Sequence, residues 1–491
     1  MSHLRTGLSF VLAFGLGACA TTPPGESADA ALARAAQAMG VGQLKTLRYV
    51  GEGTGHTFGQ AFTPGSAWPR ITLHSVTRSI DYENAAMRDE IVLSRAEPKG
   101  GGGYPISGQQ RNDQFVSGEL AWNQTGPAAT PTATPGPRFV GDRIHQLWIT
   151  PHGAIKAALR QRGTASRGAD GATTVAFEQP GWLRAAVVID AAGLVSRVDS
   201  TVPDPVLGDT AVVTTYSDYR DAGGGVKFPM RVRQTMGGYP VLDLTVKEVQ
   251  ANPALAIVVP DAARNQAERV TADKVAEGVW FIGGGSHNSV AIEQSDHMVL
   301  VETPLNDARS QAVIDQVKQL VPGKPIRFVV NSHAHFDHAG GVRAAVAEGA
   351  TIVTQAANAV FFERALAQSN SVRPDRLAQS GRKALLRSVA DRLDLGDPTR
   401  PIELHRIADS VHGESFLMVY LPREKLLIEA DAYTPAAAGT PPPSPPNPNH
   451  LNLVDNIERL KLAVERILPL HGRVVPVAEL YTAAGRTPAA R

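Results

Sequence analysis

The sequence predicts an α/β chain in two folded parts: a mostly antiparallel β region, then a region in which strands and helices alternate. Three observations carry that expectation. Residues 226–233 and 242–247 alternate apolar with charged or polar side chains, the pattern of antiparallel strands with one face buried and one wet. From Val270 onward, short apolar runs at 279–282, 298–301, 326–330 and 351–353 are separated by helical patterns, the grammar of an α/β sandwich. Between the two regions the composition changes at 262–269, which marks a linker. A chain of 491 residues exceeds one ordinary core, so division into domains is expected on size alone.

In chain order, Arg5 supplies a positive start, residues 8–18 form a short apolar run, and Leu16-Gly17-Ala18-Cys19 closes it with small residues. The run is too short to span a bilayer as a mature helix and reads as a secretory signal over 1–19. The Leu-Gly-Ala-Cys stretch resembles a bacterial lipobox. That resemblance implies lipidation of Cys19, a lipid anchor in a membrane, and a cell-envelope location; Ala20 after the cysteine implies the outer membrane, facing the periplasm. Cys19 is the one cysteine in the chain, so no intrachain disulfide forms and no thiolate-rich metal site exists. Residues 20–29 read as a Pro/Gly/Ser-rich tether.

A β-rich domain follows over 30–262. It opens with an Ala-rich helix at 30–39, contains a hairpin at 187–198 turning near Ala192-Gly193, and carries loops at 100–103 and 126–137. Its string of strands after one helix resembles the half-barrel of envelope lipid-carrier domains, and no compact cluster of catalytic residue types occurs in it. In the second domain, 270–481, a helix at 307–321 places Ala312, Val313, Val317, Leu320 and Val321 on one face. A second helix is expected at 339–348, and an Arg-rich helical segment at 358–389 is expected to border a site mouth. The Pro-rich 441–448 stretch reads as a stiff loop over that mouth, and 482–491 as a disordered tail. The formal charge of +1 gives no nucleic-acid footprint, and the sequence sets no oligomeric state.

The chemistry concentrates after the strand-like 326–330 run, in His333-Ala334-His335-Phe336-Asp337-His338. Three imidazoles and a carboxylate in six residues are a ligand set for borderline-soft divalent metals such as zinc. His412 lies in a turn just before the strand-like run 416–421, and Asp431 and His471 end or follow apolar runs, places where loops meet a sheet edge and sites are built. His405 is an alternative to His412, but it lies in an alternating stretch with no turn after it. His56, His74, His145, His152, His297 and His450 read as structural or surface residues. Tyr433 is a candidate hydrogen-bond donor to substrate and Arg473 a candidate partner for a substrate carboxylate. Their ordinary alternatives are a hydroxyl satisfied by backbone and a surface cation.

The order of these residues resembles the metallo-β-lactamase-fold hydrolase superfamily over about residues 270–481, with the HxHxDH signature matched in full by His333, His335, Asp337 and His338. The resemblance implies a four-layer αβ/βα sandwich with two zinc ions at one edge. By that match His333, His335 and His412 hold the first metal, Asp337, His338 and His471 the second, and Asp431 bridges them. It implies a hydrolase in which a metal-bound hydroxide attacks an ester, lactone, thioester or amide-type bond of a small-molecule substrate, with Asp337 also accepting its proton. Gly413-Glu414-Ser415 stands where many members carry Thr and Gly after the third histidine, a departure from the glyoxalase-like and lactamase-like branches. Two other readings remain open here: an iron-dependent oxidoreductase of the same fold, and an envelope lipid-binding protein with a vestigial metal site.

Overall fold

The computed structural model describes residues 27–97, 106, 108–126, 130–161, 164–168, 171–264 and 267–487. Cys19, the signal, most of the tether and the 100–103 stretch lie outside the described residues. Among the described residues, no helix is long and apolar enough to cross a membrane.

Thirteen described strands form one antiparallel sheet in the first domain. The chain runs outward from Thr46–His56 through Arg70–Asp81 and Ala86–Arg95 to Thr132–Pro135. It resumes at the opposite edge with Ala165–Arg167 and works inward to Tyr239–Ala251, which pairs antiparallel with Thr46–His56 and joins the two halves. Alternation places the core face as predicted: in Leu183–Ile189, Leu183, Ala185, Val187 and Ile189 are buried while Arg184 is exposed. The expected hairpin is present between Leu183–Ile189 and Val195–Asp204, and Gly193 turns it at φ 82°, a conformation open to glycine without cost.

Three helices cover the buried face. Ala28–Met39 begins two residues before the predicted start because the Ser27 hydroxyl accepts the Ala30 N–H. Val140–Trp148 and Pro151–Gln161 were not expected in a β-rich region. They bring Ile144, Leu147, Trp148 and Ile155 onto a core shared with Leu32, Leu47, Ile80 and Phe228. The 126–137 segment is not wholly a loop either, since Thr132–Pro135 pairs as the edge strand. The start of the linker is docked: Ala263, in the short helix Asp261–Arg264, is buried against Phe115 and Trp122.

The second domain holds a seven-stranded and a six-stranded sheet. Their facing sides share a core in which Val279, Val290, Val330 and Val353 of the first meet Leu404, Val419, Ile428 and Ile467 of the second. On the other side of the seven-stranded sheet, Met298, Leu300 and Ile352 pack with Val313 and Val317 of the helix Asp307–Leu320 and Ala345 of the helix Val342–Glu348. The predicted 339–348 helix is split into Phe336–Ala339 and Val342–Glu348.

Two expectations are corrected here. Segment 358–389 is helical only in part: Ala359–Ala367 and Arg376–Ser380 are helices, but Leu385–Val389 is an edge strand parallel to Thr351–Gln355. It borders the first domain rather than the site. The Asp209 carboxylate accepts from the Ser371 N–H (2.9 Å), the Val372 N–H (3.1 Å) and the Ser369 hydroxyl (2.9 Å), and the Arg373 guanidinium lies 4.8 Å over the Trp182 ring. The hairpin tip beside it inserts Val206 into the second domain's core with Ile282, Ile314 and Phe362. The tail is also anchored as far as Arg486, which pairs with Asp455 at 2.6 Å.

Candidate metal centre

The predicted ligands sit in turns, or in the short helix Phe336–Ala339, at one edge of the paired sheets. Ile326–Val330 is a central strand hydrogen-bonded in parallel to both neighbours, so the chain must leave the sheet at Asn331. His333 follows, and His335 takes the N-cap position of the short helix Phe336–Ala339, which turns Asp337 and His338 back toward it. The loop between Glu403–Arg406 and Leu417–Leu421 delivers His412, its N–H held by the Ser410 hydroxyl at 3.2 Å. Glu429 accepts the Tyr433 N–H at 2.9 Å and ties the turn that presents Asp431. Gly472, at φ 96°, turns the chain directly after His471. His405 is elsewhere, paired with Glu403 at 2.9 Å.

The ligand atoms fall into two groups, each within 4.8 Å: His333, His335, His412 and Asp431; and His287, Asp337, His338 and His471. Asp431 reaches both. Its Oδ2 lies 3.2 Å from His333 Nε2, 3.0 Å from His412 Nε2 and 3.1 Å from His338 Nε2, and its Oδ1 lies 2.8 Å from His471 Nε2.

His287 was missed in the sequence. It occupies the turn after Val279–Gly283 and places Nε2 3.1 Å from Asp337 Oδ2. A run of three glycines (Gly283 to Gly285) before Ser286-His287-Asn288 was the available signal. Two of them, Gly284 (φ 152°) and Gly285 (φ 66°), adopt backbone that other residues resist. The buried Arg309 braces this turn by donating to the His287 carbonyl at 2.8 Å.

Outer hydrogen bonds set the tautomers. His335 Nε2–H donates to the Ala61 carbonyl at 3.2 Å and His471 Nδ1–H to the Ser286 carbonyl at 2.9 Å. The inward nitrogens of these rings are therefore lone pairs, aimed at other imidazole nitrogens: His335 Nδ1 is 2.9 Å from His412 Nε2, and His471 Nε2 is 3.1 Å from His338 Nε2. Facing lone pairs repel unless a proton or cation lies between them. Tetrahedral zinc with Zn–N near 2.0–2.1 Å would space its nitrogens about 3.3 Å apart, close to what is seen. The donor set fits divalent metal in both groups.

Charge reinforces this. Burial pushes the His333 imidazole down to about 3, with His338 adding to the effect, and drives His335 well below its ordinary value. Burial raises the Asp431 carboxyl, but His338 and His412 outweigh it and hold the group ionised well below the usual range. Asp337 behaves alike, with His338 and His287 overcoming burial. His338 differs: burial lowers it, but Asp431 and Asp337 outweigh that and hold it well above its ordinary value, so it would give up a proton when a metal binds.

The first domain also builds the site. Gln60 Nε2 donates to Asp337 Oδ1 at 2.7 Å, the Gly59 carbonyl accepts the Phe336 N–H at 3.1 Å, and the Phe62 carbonyl accepts the Glu414 N–H at 2.9 Å. Phe58 and Trp68 pack edge-on against Phe336, with ring centroids 5.3 and 5.4 Å away. A β-rich domain without a catalytic cluster of its own thus clamps the HxHxDH loop of the other.

A cavity of about 1260 Å³ opens over the centre. Phe58, Gln60 and Arg138 wall it from the first domain, and Tyr433, Ala436 to Pro443, His450 and Arg473 from the second. The Pro-rich stretch lines the mouth through Pro441 to Pro443, as expected, and His450 stacks edge-on against Tyr433 at 5.0 Å. Arg473 is closed onto Glu479 at 2.7 Å.

Residues 282–471 match the family model described as the metallo-beta-lactamase superfamily. No curated protein matches the sequence. Among solved structures, the metallo-beta-lactamase from Pontibacter korlensis is similar at 16% identity over 44% of this chain and 98% of its own, TM-score 0.35. The FIM-1 metallo-beta-lactamase from Pseudomonas aeruginosa, in its mono-zinc form, is similar at 20% identity over 45% of this chain and 96% of its own, TM-score 0.35. The rubredoxin oxygen:oxidoreductase from Desulfovibrio gigas is similar at 15% identity over 44% of this chain and 61% of its own, TM-score 0.35.

Proposed function

We propose that this chain is a two-metal, zinc-dependent hydrolase of small-molecule esters, lactones, thioesters or amide-type bonds, on a four-layer αβ/βα sandwich. The observation that carries the reading is the reach of Asp431 to imidazoles of both groups, which marks one shared centre. His333, His335 and His412 would hold one ion, and Asp337, His338 and His471 the other. His287 joins the second set as an addition to the sequence-based assignment. Bound there, the ions would lower the pKa of a water and polarise the substrate oxygen.

The protein's own groups do the rest. Asp337, ionised and fixed by Gln60 and His287, takes up a proton at Oδ1 or Oδ2 during turnover. Burial raises the Tyr433 phenol to about 12, so it stays a donor at neutral pH, and among the described residues no hydrogen bond occupies its hydroxyl. The apolar walls displace water and strengthen each polar contact within. Cys19 as a lipid anchor, and with it envelope placement, belongs to the same reading on the strength of the signal sequence; Cys19→Ser should release the protein from the membrane fraction.

The test is elemental analysis of protein lacking residues 1–19, paired with turnover of an ester, lactone, thioester and β-lactam panel. Two zinc per chain with chelator-sensitive hydrolysis is expected. Iron in the centre together with oxygen consumption would replace the reading with the oxidoreductase.

A further inference from the structure

The charges around the cavity do not balance. Its charged lining residues are Asp337, Asp431, Arg138, Arg473 and Glu479. The two aspartates are committed to the imidazole groups, and Arg473 and Glu479 neutralise one another through contacts of 2.7 and 3.2 Å. Arg138 is left over. Among the described residues no carboxylate lies within ion-pair distance of it; Asp337, Glu268 and Asp142 act on it only from further off. Its guanidinium carbon lies 4.5 Å over the Phe139 ring, and among the described residues no hydrogen bond occupies its N–H groups, which leaves them to donate.

The surrounding wall is apolar: Phe58, the 436–438 alanines and Pro441 to Pro443. Arg138 follows Pro137 at the start of a short turn of the first domain, so the first domain supplies it to the cavity wall, as the second supplies Arg473. We propose that Arg138 is the anchor for an anionic group on the substrate, and that the substrate is amphipathic, with an apolar body against the alanine and proline wall. This rests on the hydrolase reading of the site and moves the anion-binding role from Arg473, where the sequence placed it, to a residue of the β-rich domain. A charge-assisted, forked contact of this kind contributes about 10- to 100-fold in affinity.

The experiment reads binding without turnover. Octane-1-sulfonate, a poor metal ligand, and neutral octan-1-ol are titrated calorimetrically into full-length protein of measured metal content, wild type and the Arg138→Gln and Arg473→Gln variants. The sulfonate should bind wild type at least tenfold tighter than the alcohol. Arg138→Gln should erase that preference while leaving octanol affinity and metal content unchanged, and Arg473→Gln should keep it. Equal affinity for the two probes, or a preference that survives Arg138→Gln, overturns the proposal. Failure of the hydrolase reading shows elsewhere, as absent turnover in the ester panel, and leaves this binding result to be judged by itself.

Discussion

Histidines are buried in both halves of this molecule, and burial treats them alike. In the β-rich domain His145 is pushed down to about 3 and His152 to about 4; at the sandwich edge His333 is pushed down to about 3. Their company differs. His145 meets the Ser200 hydroxyl at 2.9 Å and His152 donates to the Met39 carbonyl at 3.0 Å, so each ring is tied to one neighbour within a core. At the edge, His333, His335 and His471 spend their outer nitrogens on a hydroxyl or a carbonyl, and the inner nitrogens of the cluster turn on each other. Depth and a depressed pKa therefore do not mark function here; convergence of lone pairs does.

The largest expected break in that comparison is His333→Ala with His335→Ala, which should abolish metal content and cut turnover at least about 1000-fold. Removing a core histidine should instead touch stability. His145 and His152 fold as neutral rings with pKa below the unfolded value near 6.5, so their contribution is complete above pH 6.5 and lost as pH falls toward 4. That loss is about 3 kcal/mol each at pH 4. Asp204, raised to about 6 by burial, gains stability over the same range and offsets about 2 kcal/mol. His152→Gln should narrow the gap in unfolding free energy between pH 7 and pH 4 by about 3 kcal/mol, read from denaturant titrations, with metal content unchanged.

Two further changes sharpen the contrast within the edge cluster. The side chains of His333 and His412 are each 2% exposed, whereas those of Asp337 and His471 are 31% and 18% exposed. The second group should therefore exchange its ion first. His471→Ala should bind one metal in place of two and lose on the order of 100-fold in turnover. Gln60→Ala, which frees Asp337 Oδ1, should weaken the second ion about tenfold in a chelator competition and leave the first in place.

Much of this site could be read from the chain because each predicted ligand lies close to an apolar strand, His412 before one and the others after one, so local pattern and ligand type coincide at 333–338, 412, 431 and 471. The β-rich domain was legible from alternation in the same way. His287 escaped because one histidine in a glycine turn has no periodicity around it. Gln60 and Ala61 escaped because their role exists only through contacts distant in sequence: Gln60 meets Asp337 across 277 positions and Ala61 meets His335 across 274. The helices at 140–161 were hidden by shortness and by Pro151 between them. Leu385–Val389 was hidden because an edge strand with Leu385 exposed lacks a buried run.

The Val206 tip has a consequence for how the protein is made. The first sheet can close once Ala251 leaves the ribosome, yet the last ligand, His471, comes 220 residues later (471 − 251). At roughly 5–20 residues per second, that is about 10–40 s of synthesis. Until Phe336 and Phe362 emerge, well within that interval, Val206 and the faces of Phe58 and Trp68 that Phe336 will cover stand open, an apolar surface waiting on a growing chain. The finished sheet then offers its successor a ready template, and the second domain would be born against the first rather than beside it.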